Sequence, residues 1–169
     1  MTQRDDEAVF AAWLRDHNGV LFKVVRAYAF TPQDREDLFQ EIATQVWRSV
    51  GKFRGDSAVT TWIYRVALNV AIGWTRRERK HRDGKETLDE MRALQENPHA
   101  PDSRLEWLYE QIAQLNELDR SLTLLLLDGF SYRDMAVLVG ITESNVGVRI
   151  NRIKARLTKQ VEKDSVHEL

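Results

Sequence analysis

Apolar residues recur at spacings of three and four along most of this chain, as in α-helices with one buried face. The pattern predicts a helix over residues 9–30, bent or interrupted at Asn18-Gly19, and a second helix that starts after Thr31 and Pro32. Further helices are predicted over residues 58–79, from residue 103 to 115, and over 119–127. Because 43% of the residues are apolar and 30% are charged, we expect a soluble, all-α globular protein.

Residues 130–157 carry the most specific of these helical patterns. A short helix over 131–139 ends at Gly140, which suits the tight backbone of a helix end, and Thr142 is a good N-cap for the next helix. The apolar seam of that next helix consists of Val146, Ile150, Ile153, Leu157 and Val161. A short helix, a glycine turn and a basic second helix describe a helix-turn-helix that enters the major groove of DNA.

The opposite face of the second helix is polar and basic. It holds Ser144, Val148, Asn151, Arg152 and Lys159, flanked by Arg149, Lys154 and Arg156. An ordinary helical hairpin with a solvated basic face is the alternative interpretation. The position of the glycine and the N-cap favour DNA binding.

The helix that follows Pro32 has an apolar half and a polar half. The polar half holds Asp37, Gln40, Glu41, Thr44 and Arg48. A solvated surface is the simplest interpretation of such a half. Its acidic residues cluster at one end, however, so a basic partner is the alternative.

The helix over 58–79 carries aromatic, amide and basic side chains outside its apolar seam. They are Thr61, Tyr64, Arg65, Leu68, Asn69, Ile72 and Arg76. This set suits single-stranded or distorted nucleic acid, since bases stack on rings while cations hold phosphates. For Tyr64, Leu68 and Ile72 the alternative is packing against the preceding helix.

Residues 83–102 differ from the rest of the chain because they are polar, mixed in charge and interrupted by Pro98 and Pro101. We predict that they form a flexible interdomain linker. The chain then consists of two small helical domains, over residues 1–82 and 103–169.

Charge is unevenly distributed along the chain. The formal net charge is only −1, but residues 34–41 carry a net −3 and residues 76–85 a net +4. This alternation indicates different faces for different partners.

Several classes of protein are disfavoured by composition. The chain has no Cys, and its four His are far apart, so we expect no disulfide, no metal site and no cofactor. It also has no long apolar run and no secretion signal, so we expect a cytoplasmic protein without membrane insertion.

Two strings in the chain resemble the extracytoplasmic-function (group 4) sigma factors of bacterial RNA polymerase. They are DREDLFQEIATQVWRSVGKFRGDSAVTTWIYRVALNVAIGWTRRERK and LNELDRSLTLLLLDGFSYRDMAVLVGITESNVGVRINRIKARL. The resemblance covers well over half of the chain. It implies that the first domain is sigma domain 2 and the second is sigma domain 4.

The resemblance implies two surfaces on the first domain. Docking on the clamp helices of the polymerase β′ subunit falls to Asp37, Gln40, Glu41 and Thr44. Contacts with the melted minus-ten element fall to Phe53, Arg54, Ser57, Val59, Trp62, Arg65, Asn69, Arg76, Arg77, Arg79 and Lys80. The loop over residues 53–59 would capture a flipped base.

In the second domain the resemblance implies recognition of the minus-35 element and contact with the β flap. We expect base edges to be read by Ser144, Asn145, Val148, Asn151 and Arg152. We expect phosphates to be bound by Arg149, Lys154 and Arg156. Relatives are often held silent by an anti-sigma factor, so we expect such a partner beside core polymerase and promoter DNA.

This sequence departs from the family pattern at three positions. Val59 stands where many relatives have an aromatic residue, and Gly147 stands where Lys or Arg is frequent. Asn116 replaces a frequent Pro, which we expect only to loosen a turn. The first two changes affect which promoter is read.

The sequence therefore predicts a promoter-specificity subunit of RNA polymerase and no enzyme. A stand-alone helix-turn-helix regulator is the alternative, but it leaves the acidic face around Asp37 and the segment 53–79 without a purpose. An enzymatic function lacks support, since no His or Cys joins the acidic residues and no glycine-rich phosphate loop occurs.

Overall fold

A computed structural model describes residues 3–81 and 102–167 of the chain. These residues form α-helices and no β-strand, which confirms the predicted all-α class. The helices are α1 (Gln3–Tyr28), α2 (Pro32–Ser49), α3 (Val59–His81), α4 (Ser103–Ala113), α5 (Glu117–Leu127), α6 (Tyr132–Val139) and α7 (Glu143–His167). A short 3₁₀ helix, Val50–Lys52, follows α2.

Contacts divide the chain into two compact units, Met1–Glu110 and Gln111–Leu169. The division falls within α4, whereas the sequence predicts a linker over 83–102 and a second domain from residue 103. Of that linker only Asp102 is among the described residues. The predicted domain limits therefore stay a prediction.

The first unit is a bundle in which α1, α2 and α3 all pack against one another. Each helix contributes an apolar stripe to the shared core, as its periodicity predicts. The largest fully buried side chains of this core are Leu21, Val24, Tyr28, Leu38, Ile42, Ile63 and Tyr64. Burial of Tyr64, and of Leu68 at 3% exposure, confirms packing as the role of these two residues on α3.

The ends and the bend of these helices follow local sequence signals. Thr31 caps α2, because its side-chain oxygen accepts a hydrogen bond of 3.0 Å from the backbone N–H of Asp34, and Pro32 fills the first helical position. In α1 the backbone leaves helical geometry at His17, with φ −128° and ψ 15°, immediately before the predicted bend at Asn18-Gly19. For α3 the sequence offers Asp56 or Ser57 as an N-cap, but the residue directly before the helix is Ala58, whose carbonyl oxygen accepts a 3.1 Å hydrogen bond from the Trp62 N–H.

In the second unit α5, α6 and α7 pack against one another. Its core includes Ile112, Leu122, Leu125, Met135 and Ile150, all essentially inaccessible to solvent. The predicted seam of α7 is buried at Val146, Ile150 and Ile153, but the prediction is wrong for Val161, which is 48% exposed.

Candidate functional site

The polar half of α2 forms an exposed stripe, called here the α2 stripe, made of Asp37, Gln40 and Thr44. Spacings of three and four place these residues one above the other on the helix surface. Thr44 donates its hydroxyl to the carbonyl oxygen of Gln40 at 2.8 Å, and Gln33 donates its amide to Asp37 at 3.0 Å. Among the residues that the structure describes, these side chains take part in no ion pair, and all three are exposed.

Glu41 lies beside the α2 stripe and is half-buried against α3. Its carboxylate accepts a hydrogen bond from the guanidinium of Arg77 and forms an ion pair with it. The family resemblance implies different partners for these two residues, the polymerase for Glu41 and the DNA for Arg77. Their direct contact could not be predicted from the sequence, because they are separated by 36 positions.

The loop between the 3₁₀ helix and α3 is anchored at its base and exposed at its tip. Phe53 packs edge-on against Trp13 and Trp62, with ring centroids 5.3 and 5.5 Å apart. Gly55 has a φ of 79°, a left-handed backbone conformation that glycine adopts without strain because it has no Cβ atom. Arg54 at the tip is exposed, whereas Ser57 and Val59 are half-buried.

The ring contacts change the interpretation of two predicted DNA residues. Phe53 belongs to the aromatic cluster, and the indole N–H of Trp62 donates to the hydroxyl of Ser49 at 2.9 Å. Both side chains therefore position the loop in the free protein. Their predicted contacts with the minus-ten element stay a prediction, and Arg54 is the loop side chain most available to nucleic acid.

Two residues of α1 contact the loop before α3 and the first turn of α3, and sequence reasoning did not predict these roles. The Trp13 ring packs against Phe53 in the loop, and His17 Nδ1 lies 3.3 Å from the hydroxyl of Thr60 in α3. The bend at His17 is signalled by the neighbouring Asn18-Gly19. The contacts of Trp13 with Phe53 and of His17 with Thr60 have no such sequence signal, since they depend on how α1 packs against α3.

Along α3 most of the predicted DNA-contacting residues lie at the surface. Asn69, Arg76, Arg77, Arg79 and Lys80 are exposed, and Arg65 is half-buried. The exposed residues place an amide and four cations along about three helical turns. Such a surface can bind successive phosphates of one strand.

The helix-turn-helix forms as predicted. Ser131 caps α6 by accepting a hydrogen bond of 3.1 Å from the Asp134 N–H, and Gly140 ends the helix with a left-handed φ of 76°. Thr142 caps α7 through a 3.1 Å bond from the Asn145 N–H. These three local signals fix the turn, so α7 is called the recognition helix below.

The outward face of the recognition helix is exposed at nearly all predicted positions. The exposed side chains are Ser144, Asn145, Val148, Asn151, Arg152, Lys154 and Arg156. Val148 is 54% exposed, which leaves an apolar group facing solvent in the middle of this polar face. A methyl group of thymine is the kind of base-edge feature that such a side chain can contact.

Arg149 is the exception on this face. Its guanidinium donates at 2.8 Å to the carboxylate of Asp119 on α5, and both side chains are partly buried. Asp119 in turn accepts a 3.0 Å bond from the amide of Asn116. The structure therefore places Arg149 in a link between α5 and α7, and its predicted phosphate contact stays a prediction.

Asn116 has a more definite role than the expected loosening of a turn. Its side-chain oxygen accepts a 2.9 Å bond from the Asp119 N–H, so it is the N-cap of α5. Arg120, only 4% exposed, donates to the carbonyl oxygens of Ala113 and Leu115 at 2.7 and 2.8 Å. The Ala113 carbonyl lies at the end of α4 and the Leu115 carbonyl in the turn that follows. Arg120 and the Asn116 cap therefore both stabilise the turn before α5.

None of the helices in the described part of the chain is long and apolar enough to cross a membrane. The same residues contain no cluster of three or more acidic or imidazole side chains suited to hold a metal ion.

Comparison with known proteins identifies two family regions along the chain. Residues 7–81 match the family description Sigma-70 region 2, and residues 105–157 match Sigma-70, region 4. The chain is 28% identical to the RNA polymerase sigma-H factor of Pseudomonas aeruginosa, over 95% of this chain and 90% of that protein. It is 26% identical to the ECF RNA polymerase sigma factor SigM of Mycobacterium tuberculosis, over 91% of this chain and 78% of that protein.

Two solved structures have a similar fold. One is the sigma factor RpoE in complex with the anti-sigma factor NepR from Bartonella quintana, with a TM-score of 0.74 and 19% identity over 90% of this chain and 96% of that one. The other is CnrH in complex with the cytosolic domain of CnrY, with a TM-score of 0.65 and 20% identity over 94% of this chain and 90% of that one. With both sigma-70 regions present in order, this chain belongs to the extracytoplasmic-function sigma factors of the sigma-70 family.

Proposed function

We propose that this sigma factor is a cytoplasmic, non-catalytic subunit that joins core RNA polymerase and directs it to a specific set of promoters. The observation that carries the proposal is the α2 stripe. Asp37, Gln40 and Thr44 are exposed in a row on a helix whose opposite side is fully buried, and the first unit does not need them for its own packing. An acidic and amide stripe of this kind is complementary to a basic helical surface.

In the first unit the stripe and Glu41 dock on the β′ clamp helices. The loop around Arg54 then captures an unstacked base, while Asn69 and the α3 cations hold the melted strand. Unstacking a base costs a few kcal/mol, which a small helical domain does not easily supply alone. Core polymerase therefore has to contribute binding energy and hold the DNA in place.

In the second unit the recognition helix enters the major groove of the minus-35 element, and the unit contacts the β flap. Ser144, Asn145, Val148, Asn151 and Arg152 read base edges. Lys154 and Arg156 bind phosphates and fix the register of the helix. The exposure of these side chains around a correctly capped turn supports this role.

An anti-sigma factor is the expected regulator. The support is the similarity to RpoE and CnrH, whose structures were solved with NepR and with the cytosolic domain of CnrY respectively. Such a partner would cover the α2 stripe or the DNA-facing surfaces and keep the factor from core polymerase.

The proposal is tested by transcription in vitro with purified core polymerase, with and without this protein, on fragments of DNA from the source genome. Discrete transcripts that need both the protein and core are expected. Comigration of the protein with core in gel filtration is expected as well.

A stand-alone regulator would give the opposite pattern. It would bind a duplex operator tightly in the absence of core and would neither comigrate with core nor start transcripts. That combination would overturn the proposal.

A further inference from the structure

A groove of about 380 Å³ runs between α2 and α3 on the first unit. The α2 side and the following 3₁₀ helix contribute Glu41, Gln45, Arg48, Ser49 and Lys52. The α3 side contributes Val66, Asn69, Val70, Gly73 and Arg77. The groove thus lies where the surface assigned to polymerase meets the surface assigned to DNA.

The groove carries three cations and one carboxylate. Arg48 and Lys52 are exposed and form no ion pair with any residue that the structure describes. Arg77 is paired with Glu41, the single carboxylate of the lining. If that pair opened and Glu41 were engaged elsewhere, the groove would present cations and two amides with no opposing charge.

The lining fits a phosphodiester backbone better than a base or an apolar ligand. Guanidinium and ammonium groups supply charge-assisted donors for phosphate oxygens, and the side chains of Asn69 and Gln45 add neutral donors. Gly73 leaves the floor open, because a Cβ there would meet only the tip of Arg77, at 3.9 Å. A strand bound along the α3 cations can therefore extend into the groove.

The Glu41–Arg77 pair opposes that binding in the free protein. The carboxylate occupies donors of Arg77 that a phosphate would need, and its charge repels a phosphate in the groove. Docking on a basic polymerase surface would draw Glu41 away from Arg77. By linkage, docking that releases Glu41 from Arg77 favours DNA binding in the groove. DNA binding in the groove favours docking by the same free energy.

We propose that the α2–α3 groove is a phosphate-binding site for the melted strand, formed by Arg48, Lys52, Asn69 and Arg77, and that Glu41 keeps it closed until the protein docks on core polymerase. Arg48 and Lys52 thereby extend the DNA surface from α3 onto α2. The inference rests on the proposed function, since it takes Glu41 as part of the docking surface.

The test uses the full chain without core polymerase and a fluorescently labelled oligodeoxythymidine, so that only backbone binding is measured. Glu41→Gln is expected to bind the oligonucleotide about two- to fivefold more tightly, the range expected for release of an exposed ion pair. The logarithmic dependence of affinity on salt should steepen by about 0.7, which corresponds to one additional phosphate contact.

Glu36→Gln is the matched control. It removes the same charge from the same helix at an exposed position, and Glu36 lies off the α2 stripe and does not line the groove. Its affinity for the oligonucleotide should stay near that of the wild type. In an Arg77→Gln background, Glu41→Gln should give no gain. Equal gains for Glu36→Gln and Glu41→Gln, or a gain that persists without Arg77, would overturn the proposal.

Arg48→Gln and Lys52→Gln test the groove itself in the Glu41→Gln background. Each should weaken oligonucleotide binding and make its salt dependence shallower, whereas Arg4→Gln, at an exposed position on α1, should leave both unchanged. No effect of Arg48→Gln and Lys52→Gln would exclude a phosphate site in the groove. Circular dichroism confirms that each variant is folded.

Core binding separates this inference from the function on which it rests. If Asp37 and Glu41 variants all comigrate with core like the wild type, the docking assignment fails, and with it the gating by core. If these variants lose core binding while Glu41→Gln leaves oligonucleotide binding unchanged, the docking assignment is supported. The proposal that Glu41 closes the groove is then wrong.

Discussion

Gly147 leaves the recognition helix without a side chain at a position beside the ring of Tyr132. A Cβ built at Gly147 would lie 3.7 and 3.8 Å from two ring carbons of Tyr132, which is ordinary van der Waals contact. The backbone there is helical and not left-handed. Glycine at this position therefore lowers helix propensity without being required by the backbone.

Gly147→Ala is expected to stabilise the second unit by about 1 kcal/mol, because alanine is the better helix former and the site has room for its methyl group. Chemical denaturation of the full chain measures the change. Gly140→Ala is the control, since its φ of 76° is left-handed and should make the same substitution destabilising by about 1–2 kcal/mol. A lower stability for Gly147→Ala would mean that the Tyr132 ring does not tolerate the methyl group.

At the scale of the elements, the ion pair of Arg149 and Asp119 connects the recognition helix to α5. The pair is more sheltered than a surface salt bridge, with side-chain exposures of 26% and 19%. Asp119 is itself oriented by Asn116, the N-cap of α5. The orientation of the recognition helix thus depends on a short polar chain that starts at a helix cap.

Arg149→Ala is expected to lower the free energy of unfolding by about 1.5–3 kcal/mol, because it leaves a partly buried carboxylate with one charged partner fewer. Arg152→Ala removes an exposed cation from the same helix and should leave stability nearly unchanged.

For the binding of minus-35 duplexes we expect the opposite ranking of the two variants, with Arg152→Ala having the larger effect on base specificity. Arg152→Ala should cost about 1–3 kcal/mol at particular bases if Arg152 reads them.

Equal stability of the Arg149→Ala variant and the wild type would contradict the structural role of Arg149. Combined with an even loss of affinity over all DNA sequences, it would return Arg149 to its predicted role as a phosphate contact. Thermal unfolding followed by circular dichroism and fluorescence anisotropy with labelled duplexes give the two readouts.

At the scale of the whole molecule, the proposed function divides promoter recognition between the two units. The net charge of the chain is close to zero, so long-range attraction to DNA is weak and the local basic surfaces act only at short range. In the proposed function, core polymerase supplies the common support on which both units bind. Docking of the α2 stripe on core would then precede every later step.

Asp37→Lys is expected to weaken core binding by about tenfold or more while the fold stays intact, because it places a cation on the stripe that we propose docks on a basic surface. Glu36→Lys is the matched control, since Glu36 is also exposed at the start of α2 but lies off the stripe. Comigration with core polymerase and the circular dichroism spectrum are the measurements. Unchanged core binding by Asp37→Lys would mean that the stripe is merely solvated.

Much of the fold could be predicted because its signals are local. Thr31-Pro32 starts α2, Gly140 and Thr142 shape the turn, and the apolar periodicity identifies the buried face of each helix. A cap or a glycine acts on the few residues next to it, so its effect can be recognised in the sequence. The strings around Asp37 and in the helix-turn-helix add the family, and the sigma-70 matches confirm it.

Only the tertiary structure decided which of the predicted site residues are already engaged within the protein. Phe53 joins Trp13 and Trp62, Arg149 joins Asp119, and Arg77 joins Glu41 across the groove. Each of these contacts joins residues from different helices or loops. Helical periodicity assigns a side chain to a face but leaves the rotation and approach of the neighbouring helix open. The packing of the helices settles those two quantities, and with them the difference between a free cation and a paired one.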